Sequence, residues 1–387
     1  MPRPASLLGS LSIEAFLRRH WQKKPLLVRQ AMPDLKPVLT PEELAGLACE
    51  DDVNSRLVIE KGGARPWQVI HGPLSAADFR KLPRKHWTLL VTDVDKIVRA
   101  AGDLLENFDF IPAWRVDDLM VSYAADQGSV GPHLDSYDVF LLQAEGTRRW
   151  QISDRAHTAE DFVPGLDLRI LGDFRASEEW LLEPGDMLYL PPGVAHYGIA
   201  EGRCMTYSVG FRAPSHRDLI TAYADYVAGH IDPEVRYGDR DLPRQPASGE
   251  IGATARRRFR HVVRALARHD ARFDDWLGRY LTETGPWGAP VPPRRALEPK
   301  QFSARWSRRR TLLRNDRCRF AHIAEGRACT LYVDGQAYPL PRPLAFAGAL
   351  ISGQRRFEYD ALAEERQRGG FVDLLCDFHN KGYLHFP

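Results

Sequence analysis

The chain of 387 residues is short of cysteine and of long apolar runs, and each shortage excludes something. Cys49, Cys204, Cys318, Cys329 and Cys376 are scattered, contain no C-x-x-C and cannot all pair. A disulfide framework is therefore excluded, and a reducing cytoplasm is the expected compartment. No run of 18 apolar residues is present, which argues against a membrane span. The start, Met1-Pro2-Arg3-Pro4-Ala5-Ser6-Leu7-Leu8, lacks the continuous apolar stretch of a signal peptide and soon turns charged. Charge of one sign is not in large excess either: a net charge of +2 with 44% hydrophobic and 27% charged residues describes an ordinary soluble protein. The length permits two or three domains with a large core.

What the chain does contain is an H-x-D at His133 and Asp135, followed 61 residues after the aspartate by P-P-G-x-x-H ending at His196. Two imidazoles and one carboxylate on one ion, with positions left open, make the facial triad of non-haem Fe(II) oxygenases. In an extended segment alternate residues share a side, so His133, Asp135 and Tyr137 are expected on one face. Gly185 to His196 fits the second cupin motif, G-x5-P-x-G-x2-H, in which a strand enters a Pro-Gly turn that aims the histidine back into a barrel. A lone histidine on an apolar strand is usually a hydrogen-bonded core residue. Here two framed histidines and a carboxylate occur together, with no thiol nearby to suggest structural zinc.

Downstream of the triad's first half, Ala144-Glu145-Gly146 reads as a hairpin turn, with Thr147-Arg148-Arg149-Trp150-Gln151-Ile152 as the returning strand. Alternation puts Arg148, Trp150 and Ile152 on the buried face. A buried guanidinium needs an anion, and the distal carboxylate of 2-oxoglutarate would serve as a bidentate partner. An internal salt bridge, or an inverted register with Arg149 inward, are the alternatives. With three ligands from the protein and two from the oxo acid, the sixth position of an octahedral ion is left for O2.

Residues 1–213 read as a catalytic domain, with a barrel core at about 88–213. Ser12 and Thr40 carry helix N-cap signals, and Lys24-Pro25-Leu26-Leu27-Val28 reads as a strand. Residues 214–284 turn helical, with apolar spacing at Asp218–Val227 and from Phe259 to Leu281. A linker occupies 285–295, and 296–387 read as an α+β segment with strands near Cys329–Val333 and a final helix leading to Gly382. Residues 251–320 hold 18 Lys or Arg against 6 Asp or Glu, a stretch that could meet RNA phosphates or simply be a solvated helix face.

At Gly131–Phe140, Arg148-Arg149-Trp150, Glu183–Asp186, Pro191–Gly193, Tyr207–Pro214 and Trp21–Leu27, the chain resembles the JmjC-type oxygenases. More closely it resembles the bacterial ribosomal oxygenases that hydroxylate an arginine of a large-subunit ribosomal protein. That resemblance implies an α+β fold: a JmjC/cupin double-stranded β-helix barrel, a helical dimerisation region and a winged-helix-like C-terminal domain. It implies Fe(II) at His133, Asp135 and His196, the 2-oxoglutarate carboxylate at Arg148, and a homodimer. It further implies 3-hydroxylation of an arginine of large-subunit ribosomal protein sixteen in a pocket containing Asp118, Met120, Tyr137 and Ser208. An arginine suits Asp118 as a counter-charge and Tyr137 as an aromatic wall, although a solvated loop acid and a packed barrel tyrosine are the plainer readings. The chain departs from the expected pattern at Ala124 and Thr206, where serine and asparagine are familiar, and at Ala200, where asparagine often closes the motif. Histidine hydroxylation and methyl-lysine demethylation share the chemistry. A non-catalytic cupin-like module that binds a ribosome or nucleic acid, and a small-molecule cupin enzyme that does not use the oxo acid, are the alternatives from other classes.

Overall fold

The structure is a computed structural model that describes residues 7–62, 67–158, 161–166, 168–212, 214–240, 249–265, 270–283, 285 and 287–387. It divides into two compact units, Met1–Ala213 and Pro214–Pro387.

In the first unit local signals set the helix starts. Helix α1 (Ile13–Arg19) begins where the Ser12 hydroxyl accepts the Ala15 N–H at 3.2 Å. Helix α2 (Pro41–Leu47) follows a reciprocal Thr40/Glu43 capping box, with proline in the first turn, where no N–H is needed. Short helices α3 (Ala76–Arg80) and α4 (Arg99–Leu104) lie between the strands.

The strands are β1 (Leu26–Val28), β2 (Ser55–Glu60), β3 (Trp67–His71), β4 (Trp87–Val91), β5 (Val116–Ala124), β6 (Asp138–Ser153), β7 (Glu178–Leu182), β8 (Met187–Leu190) and β9 (Ala195–Phe211). They pair antiparallel in the order β1-β8-β6-β9-β5-β4-β2-β3, with β7 added beside β6. The sheet therefore recruits three strands from before residue 88, ahead of the expected barrel core. Its backbone is the long β6–β9 pair, which runs from Asp138 opposite Phe211 to Ser153 opposite Ala195.

The expected hairpin at Ala144-Glu145-Gly146 is not there. The chain runs on as one strand, and two register irregularities between Gln143 and Thr147 take up the extra residues. Gly146 has φ +63°, and a Cβ there would lie 2.0 Å from the Arg203 carbonyl oxygen, so the glycine marks a close backbone crossing within a strand. The irregularity also switches parity. Val139 and Leu141 before it share one apolar cluster with Trp150 and Ile152 after it, together with Leu182, Leu188 and Leu190. Phe140 packs elsewhere, with ring centroids 4.8 Å from Tyr189, 5.0 Å from Phe108 and 5.7 Å from Phe16. Each such fully buried side chain stabilises the fold by about 1.5–3 kcal/mol, so the barrel wall is held from both faces.

The second unit holds α5 (His216–Ala228), α6 (Ala253–Ala265), α7 (Asp270–Thr282), α8 (Pro299–Arg309), α9 (Phe346–Gly353) and α10 (Phe371–Asn380). The helical spacing expected from Phe259 to Leu281 belongs to two helices, and residues 266–269 lie outside the described residues. Strands β10 (Thr311–Arg314), β11 (Phe320–Glu325), β12 (Ala328–Val333), β13 (Gln336–Leu340), β14 (Arg356–Glu358) and β15 (Leu384–His385) form two sheets, ordered β14-β10-β15 and β11-β12-β13. Phe302, Trp306, Leu331, Phe357, Phe371 and Phe378 lie in one apolar cluster of this unit. Helix α7 packs on the second sheet, where Gly278 leaves room for the Tyr332 ring. The described part of 285–295 carries no helix or strand, and residues on both sides of it belong to this one unit.

All five cysteines are free thiols, and among the described residues no helix is long and apolar enough to cross a membrane.

Candidate active site

His133, Asp135 and His196 come together through main-chain bonds. His133 N–H donates to His196 O at 3.0 Å, and His196 N–H returns the bond to His133 O at 2.8 Å. On the His133 side this pair is an isolated bridge onto β9, and residues 131–137 form no strand of their own. Convergence comes from a third bond instead: Gly193 N–H, in the Pro-Gly turn, donates to Asp135 O at 2.8 Å. The two motifs, far apart in the chain, are thereby locked together at both ends.

The ring orientations follow from their second nitrogens. His133 Nδ1 lies 2.9 Å from Gly131 O, and His196 Nδ1 lies 3.0 Å from Val194 O. A carbonyl only accepts, so each Nδ1 carries the proton and each Nε2 keeps its lone pair for a ligand. His196 is buried, and desolvation, helped by the nearby His133 charge, pushes its pKa down to about 4. It is neutral at physiological pH. Its Nε2 stands 3.7 Å from Asp135 Oδ2, and the three ligand atoms all lie within 4.8 Å of one another. Two imidazoles and one carboxylate gathered in one cluster form a donor set that suits a divalent transition metal with open positions.

Arg148 points inward and is only 4% exposed. Its Nη1 donates to Ser122 Oγ and to Thr206 Oγ1, each at 3.2 Å, while Nε has no partner. Among the described residues no Asp or Glu forms an ion pair with it. Arg149, on the other face, pairs with Glu179 at 2.6 Å and with Glu201, so the inverted register does not occur. Thr206 in turn donates to Gln143 Oε1 at 3.1 Å, and the Gln143 amide is held by the carbonyls of Glu145 and Gly146.

The four expected substrate residues fall on neighbouring elements. Met120 on β5 and Ser208 on β9 are direct cross-strand partners. Asp118 lies where the β5–β9 register shifts, and its Oδ2 accepts the Asp93 N–H at 3.1 Å. A Cβ on Gly210 would sit 3.3 Å from Asp118 Oδ1 and 3.8 Å from Tyr137 Cε2, so the carboxylate and the ring meet over that glycine. Tyr137 is hydrogen-bonded to Asp135, which joins this pocket to the ligand cluster, yet the residue remains 41% exposed. Burial pushes the Asp118 carboxyl up to about 7 against the pull of the Asp93 N–H, and the charges of Asp95, Asp93 and Asp117 push the same way.

Comparison with known proteins agrees with this geometry. Residues 103–219 match the JmjC domain family. The chain is 34% identical over 374 residues, 96% of each chain, to the ribosomal protein uL16 3-hydroxylase of Escherichia coli (strain K12). This chain belongs to the JmjC-domain ribosomal oxygenases. The structure of E. coli YcfD superposes with a TM-score of 0.84 at 32% identity, covering 98% of this chain and 99% of that one. The structure of YcfD, a ribosomal oxygenase from Escherichia coli, in complex with cobalt and 2-oxoglutarate gives a TM-score of 0.82 at 32% identity, covering 97% and 98%.

Within this ribosomal oxygenase, sequence reasoning missed Ser122 and Gln143 as partners in the Arg148 network. Ser122 lies opposite Thr206 in the β5–β9 register, two residues from the Met120 and Ser208 pair. Two hydroxyl residues at the same parity in otherwise apolar strands were the available signal. Gln143 gave none, because its role depends on the irregularity that replaced the expected turn.

Proposed function

We propose that this chain is an Fe(II)- and 2-oxoglutarate-dependent protein hydroxylase that 3-hydroxylates an arginine of large-subunit ribosomal protein sixteen. The observation that carries the reading is the pairing of a three-ligand cluster with a buried guanidinium that, among the described residues, bonds two hydroxyls and faces the Trp150 ring but meets no carboxylate. Cobalt and 2-oxoglutarate bound in a full-length structural relative support the same ligands here. His133, Asp135 and His196 would hold the ion. When bound, it supplies O2 activation coupled to decarboxylation of the oxo acid, so that O2, 2-oxoglutarate and a C–H group yield succinate, CO2 and a C–OH group.

The chain's own residues do the rest. Arg148 anchors the distal carboxylate of 2-oxoglutarate through its planar fork, while Ser122 and Thr206 hold that fork in place. Trp150, buried with its ring 5.8 Å from the His196 ring, keeps water from the ligand side of the barrel. Asp118 takes the substrate guanidinium and becomes fully ionised when that cation docks, and Tyr137 offers its ring to the guanidinium plane. A methyl-lysine would need an aromatic cage, whereas Asp118 with one tyrosine suits a cationic arginine.

The reading extends to assembly and location. Val262, Val263 and Phe259 on α6 are 61%, 65% and 52% exposed, and a second copy covering them accounts for three apolar side chains left in water. We place the homodimer in the cytoplasm, in keeping with five free thiols. Sedimentation of a Val262→Asp/Val263→Asp variant should give a monomer where the parent gives a dimer.

The deciding experiment is mass spectrometry of ribosomal proteins from cells with and without this chain. One added oxygen atom on a single arginine of that protein is the expected result. Identical masses throughout would remove the ribosomal assignment.

A further inference from the structure

In the second unit, helix α8 presents a surface that the proposed oxygenase chemistry does not use. Its inner side is firmly anchored: Phe302 and Trp306 are fully buried, and Trp306 Nε1 donates to Phe357 O at 3.1 Å. A Glu298/Gln301 capping box fixes its start. The outer side carries Lys300, Arg305, Arg308 and Arg309, all exposed. From Pro299 to Asn315 the chain has one lysine, five arginines and no acid. Arg310 pairs with Asp360, but among the described residues no ion pair engages the four outer cations. They line a groove of about 660 Å³ together with Gln301 and Ala304.

This arrangement works against the helix that bears it. Arg305 and Arg309, four residues apart, are like charges on adjacent turns, and Arg305 and Arg308 repeat the problem at three. The C-terminal dipole offsets part of the repulsion for Arg308 and Arg309 and none of it for Lys300 at the opposite end. A polyanion laid along the groove removes it. Cations one turn apart, about 5.4 Å, match the step between successive phosphates of a nucleic-acid strand. Of the residues lining the groove only Leu297 is large and apolar, and it is half-buried, too little to insert into a lipid surface, which argues against a membrane as the occupant.

We propose that the outer face of α8 binds the phosphate backbone of structured RNA, without base recognition. The choice of RNA over DNA rests on the proposed ribosomal-protein substrate; the cationic face does not. Contacts of this kind release counterions, so affinity falls steeply with salt.

The test uses the full chain and a fluorescein-labelled RNA stem-loop, read by anisotropy between low and moderate salt. Four phosphate contacts predict a slope of log affinity against log salt of about −3. The Arg305→Glu/Arg308→Glu/Arg309→Glu variant is expected to lose binding at least about tenfold, while the Arg→Lys version of the same three positions stays within a few-fold of the parent. Retention by the lysine version and loss by the glutamate version separate charge from misfolding. The proposal is overturned if the parent does not bind RNA, if the glutamate variant binds equally well, or if a DNA duplex or a polyglutamate peptide is preferred. Turnover of 2-oxoglutarate with isolated ribosomal protein uL16, measured on the same preparations, distinguishes the two readings. Turnover kept while RNA binding is lost supports the surface, whereas RNA binding without any turnover sinks the hydroxylase reading and leaves the surface standing.

Discussion

The two halves of the site differ in how completely their polar atoms are satisfied. In the ligand corner, His133 and His196 exchange main-chain bonds, both Nδ1 atoms reach carbonyls, and Gly193 ties down Asp135. In the pocket corner, Arg148 is buried against two hydroxyls and the Trp150 ring with no carboxylate among the described residues to pair it, and Asp118 is a carboxylate raised toward neutrality by its surroundings. Buried polar groups in native proteins are nearly always paired, so a buried charge without a counter-charge is what the proposed anchoring of an anionic co-substrate requires. The first corner is built to hold its shape, and the second to be completed by what binds.

The largest effect should come from breaking the satisfied corner. His196→Ala or Asp135→Ala removes a ligand, and metal affinity measured by isothermal titration should drop by more than the roughly 10- to 100-fold typical of losing a residue that only orients a ligand. Succinate production should fall to background. Tight metal binding by Asp135→Ala would show that the triad is not the ion's seat.

The next effect has opposite signs in the two states. Arg148→Met should raise the KM for 2-oxoglutarate by about 10- to 100-fold, since a charge-assisted pair of roughly 1.5–3 kcal/mol is lost. The same variant should unfold at an equal or higher temperature than the parent without ligand, because an uncompensated buried cation has been removed. A destabilised variant with unchanged KM would assign Arg148 to structure alone.

Asp118 offers a smaller, pH-dependent contrast. Its carboxyl, pushed up to about 7 in the folded protein, sits near 3.9 when unfolded, so between those values the folded state binds the extra proton. Its contribution to stability is therefore greatest at low pH and is lost as pH rises toward 7. Asp118→Asn should stabilise the free protein at pH 8 by about 1–2 kcal/mol in denaturant titrations. In catalysis the sign reverses: kcat/KM should fall as pH drops through about 7, because the protonated acid no longer attracts a cationic substrate. An acid limb that persists unchanged in Asp118→Asn would assign it to another group.

The smallest effect belongs to the side chains behind Arg148. Thr206→Val and Gln143→Leu each break one link of the chain that runs from Arg148 through Thr206 to Gln143; at roughly 0.5–1.5 kcal/mol per link they should raise the 2-oxoglutarate KM by a few-fold with kcat little changed. Equal losses in kcat and kcat/KM would instead place them in the transition state.

Much of this was legible in the chain. H-x-D, the Pro-Gly turn before His196, the Ser12 and Thr40 caps and the alternation of Arg148, Trp150 and Ile152 are patterns among near neighbours, and each appears in the structure at its residue. The Ala144-Glu145-Gly146 turn misled because glycine with a positive φ serves a hairpin and a strand irregularity alike, and only the partner strand decides between them.

Residue types and spacing, acting over a few positions, determined which donors could surround an ion, which face of a strand was apolar and where helices could start. Long-range pairing decided the rest. The β6–β9 ladder, through its two irregularities, set the parity that sends Arg148 inward, the β5–β9 register put Ser122 and Thr206 within its reach, and Gly210 left room for both Asp118 and Tyr137 beside it. Those outcomes depend on which distant strands share hydrogen bonds and how much water they exclude, and neither quantity is a property of any short segment.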